Sequence, residues 1–255
     1  MVELRTAAEV EAMRAAGRVV ARALAAVRAH ARPGVRLAEL DAVAATVIRD
    51  AGASPVFLDY HPSWAPSPFP GVICASVNDD VVHAIPGPRR LADGDLVSID
   101  CGARLDGWCG DAAVSFVVGT ADPADLALID VTERALAAGI AAARPGAHVG
   151  DIGAAVGQVA RAAGYGMLAD HGGHGIGRTM HEEPFVPNEG RRGTGRRLEP
   201  GLVVAIEPML HAGGSDGYVT RSDGWTLATA DGSRAAHAEH TVAVTADGPR
   251  VLTAP

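Results

Sequence analysis

Two aspartates lie on the apolar strands of a predicted β-hairpin at residues 94–118. A tight Asp106-Gly107 connection joins the two strands, and folding the segment about Leu105 and Asp106 predicts that Asp100 pairs directly with Asp111, with Cβ atoms roughly 5 Å apart. Carboxylates at that distance repel each other unless they share a proton, a basic partner or a cation. Because the only basic residue nearby is Arg104 at the turn, a metal ion is the favoured explanation. A solvated hairpin edge is the alternative.

An internal repeat predicts a second hairpin of the same kind. Residues 19–52 align without gaps on residues 131–164, and both segments contain an Arg-Pro-Gly helix break and end in glycine. Each segment is predicted to form two helices. The period is too long for a solenoid, so we expect two related halves packed as one domain of residues 1–255, with the repeat over about 19–118 and 131–246.

The second half contains a matching acidic pair. Glu207 ends the apolar strand 202–207, and Glu239 begins the strand 239–244. Each half thus contributes two carboxylates to its sheet. Four carboxylates that face a shared centre are difficult to explain without cations.

A glycine-flanked histidine lies between the two acidic pairs. His174 stands in the segment H-G-G-H-G-I-G at 171–177, where we expect the glycines to let the backbone come close and to leave the imidazole unobstructed. A nitrogen ligand among carboxylates suits Mn, Fe, Co or Zn better than Ca or Mg. With Asp111 and Glu239 as bridges, five side chains can hold two ions about 3.5–4 Å apart.

Helical periodicity predicts the four helices that must carry these strands, at about 6–31, 37–51, 123–143 and 148–163. Residues 53–70 hold five prolines and several aromatics, which indicates a rigid wall packed against another surface. His83 stands alone in an apolar strand-like stretch, a setting more typical of a core histidine than of a functional one.

Composition excludes several classes of protein. The chain of 255 residues is 48% hydrophobic and carries a net charge of −8, which disfavours nucleic acid as a partner. No apolar run is long enough to span a membrane, and no signal peptide is evident. Three cysteines make no even disulfide framework. We therefore expect a cytoplasmic protein.

Six motifs together resemble the type I methionine aminopeptidases of the pita-bread metallopeptidase superfamily. They are S-V-N-D-D-V-V-H-A-I-P at 76–86, S-I-D at 98–100, G-D-A at 110–112, G-H-G-I-G with H-E-E-P at 173–184, A-I-E-P-M at 205–209 and E-H-T at 239–241. The resemblance extends from about residue 3 to 253. It implies an α+β pita-bread (creatinase/aminopeptidase-like) fold, with pseudo-two-fold halves and a curved antiparallel sheet covered by helices.

The resemblance also implies roles for individual residues. The metal ligands would be Asp100, Asp111, His174, Glu207 and Glu239. Glu207 would also shuttle a proton during catalysis, and His83 and His181 would contact the substrate. The pocket for the methionine side chain would be formed by Phe57, Tyr60, Phe69, Cys74, Met180 and Trp225.

The activity implied by the resemblance is removal of the N-terminal methionine from nascent proteins and peptides whose second residue is small and uncharged. Two divalent metal ions per chain (Co, Mn, Fe or Zn) would be the cofactors. The partners would be N-terminal Met peptides and nascent chains, without nucleic acid or membrane binding. We expect a monomer, and transient association with the ribosome stays open.

Four departures from the family pattern affect the pocket rather than the ligands. His171-Gly-Gly precedes His174 where an aromatic and a cysteine are usual, Met180 replaces a common aromatic, Ala84 replaces glycine after His83, and Phe57 replaces a frequent cysteine. We treat His171 as structural. His211, His237 and His240 have no assigned role.

Three alternatives stay open. Xaa-Pro aminopeptidases and prolidases share the fold, but they usually carry a large N-terminal domain and a histidine four residues before the ligand histidine, whereas His171 is three before His174. The type II methionine enzyme carries an insertion for which the chain has no room, since Glu207 lies only 33 positions after His174. A non-catalytic binding protein on this scaffold would have lost ligands, and all five are present.

Overall fold

A computed structural model describes residues 2–254 of the chain. Within these residues the secondary structure consists of four helices and fifteen strands. The helices are α1 (Ala7–His30), α2 (Leu37–Asp50), α3 (Pro123–Ala142) and α4 (Val149–Ala162). Their bounds agree with the predicted ones to within about a residue at each end.

The strands follow in chain order. They are β1 (Ser54–Pro55), β2 (Ile73–Val77), β3 (Asp80–Val82), β4 (Leu96–Leu105), β5 (Trp108–Val117), β6 (Gly166–Met167), β7 (Gly172–Gly175), β8 (Glu182–Pro187), β9 (Val203–Ile206), β10 (Met209–His211), β11 (Tyr218–Thr220), β12 (Leu227–Thr229), β13 (Ala235–His237), β14 (Glu239–Thr245) and β15 (Gly248–Val251).

A nine-stranded sheet runs through both halves of the chain in the order β1-β4-β5-β14-β9-β7-β8, with β2 also on β4 and β15 on β14. Every strand pair in it is antiparallel. Two small sheets, β13-β10-β6 and β11-β12-β3, complete the structure. The predicted α+β fold with a curved antiparallel sheet and four covering helices is therefore confirmed.

The helices bury their apolar stripes against this sheet in two cores. One core packs α1 and α2 on alternate residues of β2, β4 and β5, among them Val97, Ile99 and Cys101. The other packs α3 and α4 on β9 and β14. Since successive strand residues point to opposite faces, Asp100 lies on the face away from α1 and α2.

The two halves share local conformations at positions related by the repeat. Gly34 and Gly146, which follow the helix-breaking prolines, have φ values of +91° and +88°. The carboxylate of Glu39 accepts a hydrogen bond from the backbone N–H that precedes α2, and Asp151 does the same at α4. These matches support our proposal that the chain is a single domain of two related halves.

No helix within residues 2–254 combines the length and the apolar character needed to cross a membrane.

The matched glycines give a test of this two-fold relationship. Gly34→Ala and Gly146→Ala should each lower the free energy of unfolding by about 1 kcal/mol, because a Cβ disfavours left-handed backbone. Urea denaturation measures both losses. Gly87→Ala is the control, since Gly87 lacks a positive φ and a Cβ at this position would lie 3.8 Å from the nearest atom. A loss at only one of the two glycines would contradict equivalent roles for them.

Candidate metal centre and substrate pocket

The β4–β5 hairpin brings Asp100 and Asp111 to one face of the sheet, but not directly opposite each other. Asp100 is paired with Ala113, and Asp111 is paired with Gly102. The predicted Asp106-Gly107 connection is present, but the predicted direct pairing is wrong because the two strands pair symmetrically about Asp106-Gly107 and not about Leu105 and Asp106. The resulting register error is two residues, which keeps both side chains on the same face. The two carboxyl groups are diagonal neighbours.

Hydroxyl groups join β5 to β14 and to β13 on either side of a short backbone ladder between β5 and β14. The Thr241 hydroxyl accepts from the Asp111 N–H at 3.0 Å and donates to the Asp111 carbonyl at 2.8 Å. The Ser115 hydroxyl makes the same pair of bonds to the N–H and carbonyl of His237, at 2.9 and 2.8 Å. We call these two arrangements the hydroxyl clamps. They fix the backbones that carry Asp111 and His237.

Glu207 lies directly after β9 and next to the start of β14. Its carbonyl accepts a hydrogen bond from the Asn188 side chain at 3.0 Å. On β14, His240 is paired with Ile206, the residue before Glu207. Glu239 is paired with Ala113 of β5. The predicted meeting of acidic residues from the two halves is therefore present in the structure.

His174 is oriented toward these carboxylates by its own backbone. Its Nδ1 lies 2.8 Å from the carbonyl of Gly175, so that this nitrogen donates and Nε2 is left with a lone pair. Nε2 lies 3.7 Å from a Glu207 carboxylate oxygen. A Cβ at Gly173 would come within 2.0 Å of the Ala205 carbonyl. Glycine is thus required here for close strand packing.

Burial raises the pKa of all four carboxyl groups. Burial is the largest cause for Asp100, Glu207 and Glu239, whose pKa values lie well above the usual range, and the negative charge of Asp111 raises each of them further. The pKa of Asp111 itself is raised to about 7. In the metal-free protein these groups therefore hold protons that a cation would displace.

Burial also keeps the nearby histidines neutral. It lowers the pKa of His174 to about 3 and that of His83 to about 4. Neutral imidazoles can donate a lone pair to a metal ion, whereas imidazolium cannot.

The residues present fit a divalent metal. Buried atoms without a hydrogen-bond partner include one oxygen each of Asp100, Asp111 and Glu239. Two groups of side chains bring ligand atoms within 4.8 Å of one another: Asp111-His174-Glu239 and Glu207-His237-Glu239. Among residues 2–254, no arginine forms an ion pair with any of the four carboxylates. A cation is the partner that this buried negative cluster lacks.

An apolar cavity of about 380 Å³ opens beside this centre. All six residues predicted for the methionine pocket line it: Phe57, Tyr60, Phe69, Cys74, Met180 and Trp225. All but Tyr60 are buried. The predicted aromatic wall at 53–70 therefore faces the carboxylates. Burial also raises the pKa of the Cys74 thiol well above its usual range, with Asp100 contributing further, so the thiol stays neutral.

The two histidines predicted to contact substrate also line the cavity. His83 has a φ of 60°, and its buried Nδ1 has no hydrogen-bond partner. His181 is more exposed, and its Nδ1 lies 3.0 Å from the Tyr60 hydroxyl. The rings of His181 and His174 are 4.4 Å apart between centroids, edge to face. Both histidines thus adjoin the carboxylate cluster.

Sequence reasoning missed several residues that line the cavity or its edge. They are Trp64, His171, Phe185, Met209 and, next to the carboxylates, His237. Trp64 and Phe185 are large apolar side chains that are 61% and 51% exposed, which marks the cavity mouth. Trp64 could have been found as part of the aromatic segment. His171 was expected to be structural, and its Nδ1 is bonded to the Ala169 carbonyl. That expectation did not predict that His171 also lines the cavity.

Comparison with known proteins shows the family to which the chain is similar. Residues 11–246 match metallopeptidase family M24. The chain is 54% identical over 260 residues to methionine aminopeptidase 1 of Mycobacterium tuberculosis (strain CDC 1551 / Oshkosh), which covers 99% of this chain and 95% of the relative.

Solved structures show the same fold. The crystal structure of methionine aminopeptidase from Rickettsia prowazekii superposes with a TM-score of 0.95 and 38% identity over 100% of both chains. The prolidase from Pyrococcus furiosus superposes with a TM-score of 0.79, at 22% identity, over 99% of this chain and 65% of the prolidase. The second likeness concerns the fold alone.

Metal binding should stabilise the protein through the carboxylate cluster. Adding Zn²⁺ or Mn²⁺ to chelator-treated protein should raise the melting temperature, corresponding to about 2.7 kcal/mol at a free concentration of 100 times the Kd. Asp111→Asn and Glu239→Gln should lose most of this shift. Asp106→Asn, at the hairpin turn, should keep it. An undiminished shift in both cluster variants would contradict the proposed ligands.

The metal-free protein should lose stability as the pH rises through neutrality. A carboxyl group whose pKa is raised on folding stabilises the native state at low pH, and this contribution is lost as the pH rises through the native pKa. For Asp111 that value is about 7. Histidines with lowered pKa values oppose this trend only below their ordinary value of 6.5. Urea unfolding between pH 6.5 and about 8 measures the loss, and Asp111→Asn should reduce it.

Proposed function

The chain belongs to metallopeptidase family M24, among the methionine aminopeptidases, and we propose that it removes N-terminal methionine when the second residue is small and uncharged. The substrates are nascent proteins and peptides, and the hydrolysis uses two divalent metal ions. The observation that carries this proposal is the apolar cavity, which opens directly onto the buried cluster of four carboxylates and His174.

Five side chains would hold the metal ions in this proposal: Asp100, Asp111, His174, Glu207 and Glu239. Glu239 belongs to both groups of close ligand atoms, which suits it to a bridging role. Nitrogen and carboxylate ligands favour Mn, Fe, Co or Zn. When bound, such ions polarise the scissile carbonyl and acidify a water molecule.

Glu207 would move the proton. Peptide hydrolysis adds a water oxygen to the carbonyl carbon, breaks the C–N bond and transfers a proton to the departing amine. A carboxylate accepts the proton from the attacking water and donates it to the amine nitrogen. Glu207 lines the cavity beside the other carboxylates and His174, which places a carboxylate at the position this proton transfer requires.

His181 would stabilise the negative charge that develops on the carbonyl oxygen. Its Nδ1 lies within hydrogen-bond distance of the Tyr60 hydroxyl. If Tyr60 donates this bond, Nε2 of His181 carries the proton and becomes a hydrogen-bond donor. A donor aimed at a developing oxyanion stabilises the transition state more than the ground state. His83, buried and lacking a partner at Nδ1, would face the amide nitrogen that becomes the leaving amine.

The cavity accounts for the choice of methionine. The aromatic edges of Phe57, Phe69 and Trp225 can pack against a flexible thioether, and the enclosed apolar walls exclude charged side chains. The second residue of the peptide would lie near His83 and the rim of the cavity, where we expect only a small side chain to fit. The three cysteines, all buried and unpaired, suit a reducing compartment, and we propose that a cytoplasmic monomer acts on newly made chains.

Substrate preference tests the methionine assignment. The enzyme, stripped by chelator and refilled with Mn, Fe, Co or Zn, should cleave Met-Ala-Ser faster than Ala-Pro-Ala, because alanine leaves the aromatic cavity unfilled. The ratio of kcat/KM values for the two peptides is the measurement. Faster cleavage of Ala-Pro-Ala would instead support an Xaa-Pro aminopeptidase on the same fold.

The role of His181 can be separated from simple binding. His181→Ala should lower kcat and kcat/KM together by about 10²–10³, since an oxyanion contact acts mainly in the transition state. Tyr60→Phe keeps the cavity wall and removes only the hydrogen bond to Nδ1, so its loss in kcat should be smaller. Both constants are measured on Met-Ala-Ser. An increase in KM alone would make His181 a group that only positions the substrate.

A further inference from the structure

His237 is a buried histidine beside the carboxylate cluster that the motifs do not include. It ends β13, one residue before the break between β13 and β14, and its side chain is 2% exposed. The Ser115 clamp holds its backbone on both the N–H and the carbonyl side. The position of its backbone is therefore set by the sheet itself.

The Nε2 atom of His237 points between two acidic side chains. It lies 3.8 Å from an oxygen of Glu239 and 3.9 Å from an oxygen of Glu207. Both distances exceed those of a hydrogen bond. This nitrogen is buried and has no hydrogen-bond partner. A buried imidazole nitrogen without a partner carries a desolvation cost that some ligand must offset.

The spacing of these three groups is that of ligand atoms around one ion. Glu207, His237 and Glu239 each offer an atom within 4.8 Å of the others. With metal–ligand distances of about 2.0–2.2 Å, ligands of one ion lie about 3–4 Å apart. A cation at their centre would satisfy the unpartnered nitrogen and both carboxylates at once.

We propose that His237 is a sixth protein ligand of the metal centre and supplies a second imidazole nitrogen, on the side of Glu207 and Glu239. This inference rests on the proposed function for the presence of metal, and adds a ligand to it. Nitrogen-rich coordination favours Zn, Co or Fe over Mn. The site should therefore discriminate more strongly against Mn than a centre with one histidine.

Zn²⁺ affinity of metal-free protein tests the assignment. Competition with a chromophoric chelator should show that His237→Gln binds Zn²⁺ at least about tenfold more weakly, since even indirect partners of metal ligands contribute that much. His240→Gln is the matched control, because His240 is on the neighbouring strand and its Nδ1 is bonded to Thr253 at 2.8 Å. It should bind Zn²⁺ like the wild type.

A second measurement uses the wild-type protein, so that a folding defect in the variant cannot obscure the result. Zn X-ray absorption of the fully loaded enzyme should show two imidazoles for each pair of ions, from His174 and His237. A single imidazole, or unchanged affinity in a folded His237→Gln variant, would overturn the proposal.

The outcome is separable from that for the proposed function. If Zn²⁺ binds with two imidazoles while Met-Ala-Ser is not cleaved, the ligand assignment stands and the substrate assignment fails. If Met-Ala-Ser is cleaved and Asp111→Asn abolishes Zn²⁺ binding while His237→Gln leaves it unchanged, the substrate assignment stands and the assignment of His237 as a ligand fails.

Discussion

Repulsion between buried carboxylates is the constraint on which this structure depends. Asp100, Asp111, Glu207 and Glu239 share one pocket, where burial raises all four pKa values and the charge of Asp111 raises the other three further. An apolar sheet offers little solvation to such charges. Within residues 2–254, no arginine pairs with these carboxylates, and a bound cation would relieve the repulsion. Under the proposed function, stability, metal affinity and catalysis would therefore depend on the same four side chains.

The surrounding polar groups hold the cluster in position without neutralising it. Thr241 and Ser115 bond to backbone atoms of the opposing strand, and His174 bonds to the adjacent carbonyl of Gly175. Each of these bonds satisfies a polar group that would otherwise be buried unpaired, and leaves the carboxylate oxygens and imidazole nitrogens free for metal. Precision at the site thus comes from the backbone contacts of the sheet.

The sequence predicted most of the fold, and the residues it assigned to the site line one cavity in the structure. Helix ends were predictable because Pro33-Gly34 and Pro145-Gly146 interrupt the helical hydrogen bonding. The pairing partner of Asp100 was not predictable in the same way. The register depends on the point about which the hairpin folds, and moving this point from Leu105-Asp106 to Asp106-Gly107 shifts each pair of opposed residues by two positions. His237 belongs to none of the motifs. It lies near Glu207 because of the break between β13 and β14, which no local sequence pattern predicts.

The hydroxyl clamps make the carboxylate cluster a joint product of both halves of the chain. Thr241 holds the backbone of Asp111, and Ser115 holds that of His237, so each half of the chain completes the scaffold of the other. The first half by itself contains Asp100 and Asp111 but neither Glu207 nor Glu239. The full set of four carboxylates therefore exists only where the two halves are packed together, and a change that separates the halves removes the cluster without altering any of its side chains.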